Sequence, residues 1–574
     1  MGAPASSRWQ PPIGEQGPMR ANRPLRTLIA MLVVLLAFAA VAAQLVRLAL
    51  SGQSEGSSSF AATVDESFAR PDIVDRNGRL LATDVEAYSL FADPAHVLDR
   101  DEVVEKLGTV FSDLDADALR RDLSDRTRRF VWIKRGLSPK TAQAVHDLGL
   151  PGLDFRRELR RAYPGGMLAG HVLGYVNIDN KGVAGIERYV DEVVGVEAVQ
   201  GATLAERAPV RLSLDIGVQY AVEAELESAV QRYEAKGAAG IVLDVTTGEV
   251  LASASVPEVD PAYPAMSLDP RRIDKVAGST YELGSVFKTA TVAMALDAGL
   301  VSLDTQVDVR EPLAAGRFTI KDLHPLGRPL SVAEIFIHSS NVGAAKLALQ
   351  AGPEHLQAFL RRLQLLVPMR TELGPVAAPQ LPEQWKEIET MTIAYGHGLA
   401  VAPLQFAAAA GALLNGGNRL LPTFVKHPAD AGHVNVPLMQ AATSARLQEL
   451  LRRNVTDPAG TGKRADVPGY LVGGKTGTAE IPGPGGYRKN AVISSFLAAF
   501  PMNRPKYVVF VLLFEPKPTA AARGEVLAGL NAAPTAGRVV ARIGPLLGML
   551  PANEAAVSPG VAFDATSPAK YEAQ

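Results

Sequence analysis

The sequence predicts an α+β protein with an apolar N-terminal anchor, an elongated mixed domain, and a larger second domain built on an antiparallel sheet with helices on its faces. Three observations carry this. Thr27 to Val46 is apolar except for Gln44. Strand-like runs stand at both ends of the region 215–550, with helical patterning between them. At 574 residues and 47% hydrophobic content, the chain can fill a large core.

The anchor comes first. About 20 apolar residues span a bilayer as a helix, and residues 27–46 meet that length. Arg8, Arg20, Arg23 and Arg26 precede them against a single acid, Glu15. Positive charge stays on the cytoplasmic side, so the spacing predicts a single-pass protein of the cytoplasmic membrane, with residues 1–26 as a disordered tail inside and the rest exported. A cleaved signal peptide is the competing reading, because Ala40-Val41-Ala42 resembles a cleavage site. The apolar run outlasts the 7–15 residues of a typical signal core.

Charge and composition exclude several functions. Lys plus Arg is 58 against 60 Asp plus Glu, a net of −2, which gives no reason to expect a nucleic-acid partner. The absence of cysteine removes disulfides, thiolate metal sites and Cys nucleophiles. Nine His residues occur without His-Glu-x-x-His or paired ligand spacing, so no metal is expected.

A Ser/Gly linker, Ser51 to Ser59, leads into a mixed segment at 60–212. Asn77-Gly78 marks a turn between the apolar runs Ile73-Val74 and Leu80-Leu81, and Ala116 to Leu123 reads as a helix. No nucleophile and base stand together here, which suits a pedestal that holds the next domain off the membrane.

The second domain is expected over 215–550. Val218 to Tyr233 has helical periodicity, and Ala239 to Val245 reads as a buried strand turned at Thr246-Thr247-Gly248 into a second, Glu249 to Ser255. Ala491 to Phe500 and Lys506 to Phe514 are strand-like, and Pro534 to Leu550 is helix-like. Strands from both ends of one domain imply a single sheet closed by its termini. Residues 551–574 are small, polar and expected to be disordered.

Three motifs carry the chemistry. Ser285-Val286-Phe287-Lys288 precedes an apolar run, Thr289 to Leu296. A decoy, Ser567-Pro568-Ala569-Lys570, lacks that continuation. A spacing of three puts Ser285 and Lys288 on one helix face, and Gly284 allows a tight turn into a helix whose N-terminus favours an oxyanion. Lys288 becomes a base only if burial favours its neutral amine. The second motif is Ser339-Ser340-Asn341, whose hydroxyl and amide can shuttle a proton and orient a lysine. In isolation it reads rather as a capped helix start before Val342. The third is Lys475-Thr476-Gly477-Thr478, behind a predicted strand Tyr470-Leu471-Val472. Its cation and hydroxyls suit a carboxylate, and its glycine admits a peptide as an added strand.

Gly469 to Thr476 also fits the phosphate-binding loop pattern letter for letter. That pattern needs a helix directly afterwards, and Gly477 with Ile481-Pro482-Gly483-Pro484 argues against one. His338 and His397 stand near the motifs in chain order only and read as structural. Gly-x-Ser-x-Gly is absent around Ser285.

Ser-x-x-Lys, Ser-x-Asn and Lys-Thr-Gly in this order resemble the motif set of penicillin-binding proteins and class A β-lactamases. Further segments are similar to the class B penicillin-binding proteins, monofunctional D,D-transpeptidases: Arg70-Pro71-Asp72-Ile73-Val74-Asp75-Arg76-Asn77-Gly78, Arg161-Ala162-Tyr163-Pro164-Gly165-Gly166 with Ala169-Gly170-His171, Gly182 to Glu187, and Gly398 to Gln405. Pro71, Leu283 and Ala402 depart from the family pattern without removing a reacting group. Length, motif context and short tail look most like the cell-division member, with the cell-elongation homologue as the alternative.

The resemblance implies that Ser285 attacks the D-Ala-D-Ala carbonyl of a peptidoglycan stem peptide, with Lys288 as base. Ser339 would relay a proton, Asn341 would orient lysine and substrate, and Lys475, Thr476 and Thr478 would bind the terminal carboxylate, with Gly477 between them. Backbone N–H groups of Ser285 and Thr478 would form the oxyanion hole. It implies β-lactams as ligands, no metal or organic cofactor, and a polytopic glycosyltransferase and other division proteins as partners. A carboxypeptidase or β-lactamase-type hydrolase and a non-enzymatic wall scaffold are the alternatives.

Overall fold

The computed structural model describes residues 23–51, 70–194, 208–315, 318–428, 435–483 and 486–552. The linker at 52–59, the decoy motif at 567–570 and most of both expected tails lie outside these residues. Two parts of those tails differ from expectation. Residues 23–26 belong to a helix, α1 (Arg23–Ser51). Ala552 N donates to Gly469 O at 2.8 Å, so the chain is still bonded just past residue 550. Among the described residues, no helix is long and apolar enough to cross a membrane.

The chain divides into two compact units: the first takes in α1 and residues 88–158, and the second takes in residues 70–87 and those from Leu159 onward. In the first, α2 (Arg100–Val110), α3 (Ala116–Ser124) and α4 (Pro139–His146) surround a core of Leu90, Val104, Leu107, Leu119, Leu123, Leu137 and Val145. Each helix begins where a side chain satisfies free N–H groups. Asp99 accepts from Asp101 N and Glu102 N, Asp115 from Ala118 N, and Ser138 from Thr141 N ahead of Pro139.

In the second unit, the Asn77-Gly78 turn joins β1 (Ile73–Val74) to the start of β2 (Leu80–Ala92), and the two pair antiparallel. Five strands then make the central sheet: β3 (Gly237–Asp244), β4 (Val250–Val256), β5 (Gly473–Gly483), β6 (Gly486–Phe500) and β7 (Tyr507–Phe514). Their order is β5-β6-β7-β3-β4, every neighbour antiparallel. The first and last strands of the domain thus meet at β7–β3, as the sequence predicts.

The continuous apolar runs in β3 and β7 follow from burial on both faces. Ala239, Ile241 and Leu243 of β3, with Val508, Phe510 and Leu512 of β7, enter one core. Ala238 and Val242, with Val509, Val511 and Leu513, enter the other. Each such buried Val, Leu or Phe contributes about 1.5–3 kcal/mol relative to exposure. Helices α5 (Ile216–Arg232) and α10 (Ala532–Leu546) pack on the second face. The first face carries the helical middle, α6 (Lys288–Asp297), α7 (Asn341–Ala351), α8 (Pro403–Leu414) and α9 (Ala441–Thr456).

Two local expectations are corrected. Tyr470-Leu471-Val472 is not the strand: Leu471 sits at φ 48°, outside extended backbone, and β5 opens at Gly473 and carries the Lys-Thr-Gly motif itself. Ser285 is not in the first turn of an α-helix. It lies in a 3-10 turn, Gly284–Phe287, and α6 begins at Lys288.

Candidate active site

The nucleophile turn, the second motif and β5 converge because their backbones fit closely. A Cβ on Gly477 would lie 2.4 Å from Leu283 O and 2.5 Å from Ser495 Oγ, so only glycine allows β5 to press against residue 283. The Ser-x-x-Lys segment feeds α6, whose residues 288–296 are all buried. The second motif is a capped helix start as well as part of the site: Ser340 Oγ accepts from Gly343 N at 2.9 Å and opens α7. Ser339, just before it, is at φ 60°.

Five predicted residues meet. Lys288 Nζ stands 3.0 Å from Ser285 Oγ, 3.2 Å from Ser339 Oγ, 2.5 Å from Ser339 O and 2.7 Å from Asn341 Oδ1. Lys475 Nζ donates to Ser339 Oγ at 2.9 Å. Both lysines are fully buried, whereas Ser285 and Ser339 are half-buried and reachable. A neutral amine has two N–H groups and one lone pair. The Ser339 carbonyl and Asn341 Oδ1 can only accept, so they take the two N–H groups of neutral Lys288. That leaves the lone pair for the Ser285 hydroxyl. The Asn341 amide is oriented by its own Nδ2, which donates to Lys321 O at 3.2 Å.

Electrostatics favour that neutral amine. Lys288 is held well below the ordinary lysine range, first by burial, then by the charge of Lys475, with Asp322 opposing. Burial draws Lys475 down to about 7. The arrangement is a hydroxyl beside a pre-formed base, with a second amine linked to both through Ser339. Beyond Lys475 on β5, Thr476 Oγ1 donates to Thr461 Oγ1 at 2.8 Å, and Thr478 Oγ1 accepts from Ala528 N at 3.2 Å. Lys475 and Thr476 lie inside a strand, with no helix after them, which removes the phosphate-loop reading.

Sequence reasoning passed over the neighbours of Ser285. Glu282 accepts from Gly398 N at 2.9 Å and from Tyr487 OH at 3.0 Å, and burial raises its pKa. His397, expected to be near the site only in chain order, follows Gly396, whose carbonyl accepts from Gly284 N at 3.1 Å next to the nucleophile. Its ring lies 5.2 Å from Tyr395 and 5.8 Å from Tyr487. Burial, then the charge of Lys288, lowers its pKa to about 4, so it is neutral at pH 7. Glu282 also lines a recess of about 440 Å³, together with Tyr281, Gln380, Gly398, Glu480 and Ile481. Only the Tyr-Gly-His-Gly spelling hints at this wall, and no spacing rule ties it to Ser285.

The family model described as penicillin binding protein transpeptidase domain matches residues 238–533. The model described as penicillin-binding protein dimerisation domain matches 66–200. The chain is 40% identical to a probable peptidoglycan D,D-transpeptidase FtsI of Caulobacter vibrioides, over 84% of this chain and 82% of that one. It is 34% identical to a probable peptidoglycan D,D-transpeptidase PenA of Neisseria meningitidis, over 78% and 80%. It is 29% identical to the peptidoglycan D,D-transpeptidase FtsI of Escherichia coli, over 83% of each. Among solved structures, penicillin binding protein 3 of Mycobacterium tuberculosis, complexed with aztreonam, aligns with a TM-score of 0.63 at 25% identity, over 84% of this chain and 97% of that one.

Proposed function

The chain belongs to the penicillin-binding protein transpeptidase family, and on that premise we propose that Ser285 is the nucleophile with which it cross-links peptidoglycan as a D,D-transpeptidase. One observation carries the reading: Lys288 Nζ is within 3.0 Å of Ser285 Oγ while fully buried and shifted toward its neutral form.

The neutral amine takes the hydroxyl proton as Ser285 Oγ attacks the carbonyl between the two terminal D-Ala residues of a stem peptide. The N–H groups of Ser285 and Thr478 receive the oxyanion. Lys288 passes the proton through Ser339 to the nitrogen of the departing D-Ala, and the acyl–Oγ bond remains. Lys475, Thr476 and Thr478 hold the terminal carboxylate, and Asn341 orients amine and substrate. An amine of a neighbouring stem peptide then attacks the ester carbon. A C–N bond forms, the C–Oγ bond breaks, and the amine proton returns to Ser285 through Ser339 and Lys288. β-Lactams acylate Ser285 as substrate mimics, consistent with aztreonam in the Mycobacterium relative.

The two family matches support a pedestal at 60–212 and a transpeptidase domain at 215–550. The FtsI relatives support a role in septal wall synthesis. In that role the chain works beside a polytopic glycosyltransferase and other division proteins. Helix α1 is the membrane anchor, and the catalytic domain works outside the cytoplasm. Leu28, Met31, Leu35 and Phe38 of α1 are 64–73% exposed, apolar surface that a bilayer would cover, and four arginines precede residue 27.

The test is labelling of the full chain with a fluorescent penicillin. Wild type is expected to carry a covalent label that Ser285→Ala lacks; equal labelling of both would refute the assignment.

A further inference from the structure

We propose that Asp322 is a positioning residue for the acyl transfer, a carboxylate clamp that holds the second motif against the catalytic lysine. This deepens the acyl-serine reading above and rests on it.

Asp322 lies two residues beyond the short strand Phe318–Ile320. One carboxylate oxygen accepts from Ser340 Oγ at 2.6 Å. The other accepts from Asn341 N at 2.6 Å and Val342 N at 3.0 Å. The first N–H groups of a helix have no partner within it. At α7 they are divided: Asp322 takes those of residues 341 and 342, and Ser340 takes that of residue 343. The carboxylate also sits where the helix dipole favours negative charge.

The clamp acts on the reacting atoms through the backbone. With Ser340 and Asn341 fixed, Ser339 keeps its left-handed backbone, φ 60°, and its carbonyl stays 2.5 Å from Lys288 Nζ. The adjacent Lys321 carbonyl holds the Asn341 amide so that Oδ1 faces the same nitrogen. Two consecutive residues, 321 and 322, therefore orient both groups that absorb the N–H bonds of neutral Lys288. The three-motif reading assigns them nothing.

Asp322 also sets a balance of charge. The charged groups acting on Lys288 are Lys475, which disfavours its ammonium, and Asp322, which favours it. His397 is neutral at pH 7. Ser285, Ser339 and Asn341 supply the remaining polar contacts. Removing the carboxylate charge leaves burial and Lys475 unopposed, so the amine stays neutral to lower pH.

The experiment measures the acylation rate of the full chain by a fluorescent penicillin across pH, for wild type, Asp322→Asn and Asp322→Ala. Asp322→Ala loses the clamp, and its plateau rate is expected to fall about 10–100-fold, the scale of a small misplacement of reacting groups. Asp322→Asn keeps an acceptor oxygen, so it recovers most of that loss while its acid limb moves to lower pH. An Asp322→Ala chain acylating at the wild-type plateau, or an Asp322→Asn profile with an unmoved acid limb, would overturn the proposal. Labelling of wild type that disappears in Ser285→Ala tests the acyl-serine reading separately.

Discussion

Ser339 Oγ lies 3.2 Å from one buried lysine nitrogen and 2.9 Å from another. Two ammonium groups this close, out of water, repel strongly, so the site holds fewer than two charges near neutrality. Lys288 gives up its proton more readily, because Lys475 adds repulsion to burial. Lys475, drawn to about 7 by burial, changes charge near physiological pH. The sign follows. Raising pH removes the Lys288 proton and increases acylation, then removes the Lys475 proton and weakens the grip on a substrate carboxylate. The second-order acylation constant reports the free enzyme. For a β-lactam with a free ring carboxylate it should therefore decline above about pH 7, and for the same compound esterified at that carboxylate the decline should vanish. Matching basic limbs for the two compounds would mean that Lys475 does not act through the carboxylate. His397, near 4, changes charge below this window.

Among elements, the site depends on how closely backbones approach one another. Gly284 N donates to Gly396 O at 3.1 Å, and a Cβ on Gly396 would lie 2.1 Å from Gly284 O. Gly396 also has φ 87°. Gly396→Ala should therefore cost about 1–3 kcal/mol or more and displace the residue next to the nucleophile. Gly299, just past the end of α6, has φ 66° but nothing within 4 Å of its added Cβ. Gly299→Ala should show backbone strain alone, about 1 kcal/mol, with normal penicillin acylation. Melting temperatures and acylation rates of the two variants separate clash from strain; equal acylation would remove any role for the 284–396 contact. The same distinction explains what the sequence reveals. Helix α6 and strands β3 and β7 are legible because unbroken apolar runs have few alternatives to burial. Lys288 beside Ser285 is legible because helical spacing is local. Strand β5 is less so, because Gly473, Gly474 and Gly477 suppress strand propensity. Asp322 and His397 reach the site through contacts with residues 18 or more positions away, such as Ser340 and Tyr487, and no period encodes those.

Across the second compact unit, one buried charge network ties together segments that the sequence joins only by resemblance. Glu187 accepts from Arg70 Nε at 2.9 Å and from Arg161 Nε at 2.7 Å. Arg161 also reaches Asp84 at 3.1 Å and Pro71 O at 2.9 Å, and Arg70 pairs with Asp191. The Arg70, Asp84, Arg161 and Glu187 side chains are at most 1% exposed. Such a network adds little net stability over an apolar equivalent, since desolvation offsets attraction, but removing one member strands its partners. Glu187→Ala leaves two buried guanidinium groups short of a carboxylate, so it should destabilise this unit by about 3–5 kcal/mol. Glu187→Gln should cost less, because it keeps an acceptor. Removing Arg271, whose side chain is 80% exposed in its pair with Asp269, should leave unfolding unchanged. Urea unfolding of the three variants checks the order. A Glu187→Ala chain with the wild-type midpoint would mean that the arginines find other partners, and residues 70, 161 and 187 would then be held together by packing alone.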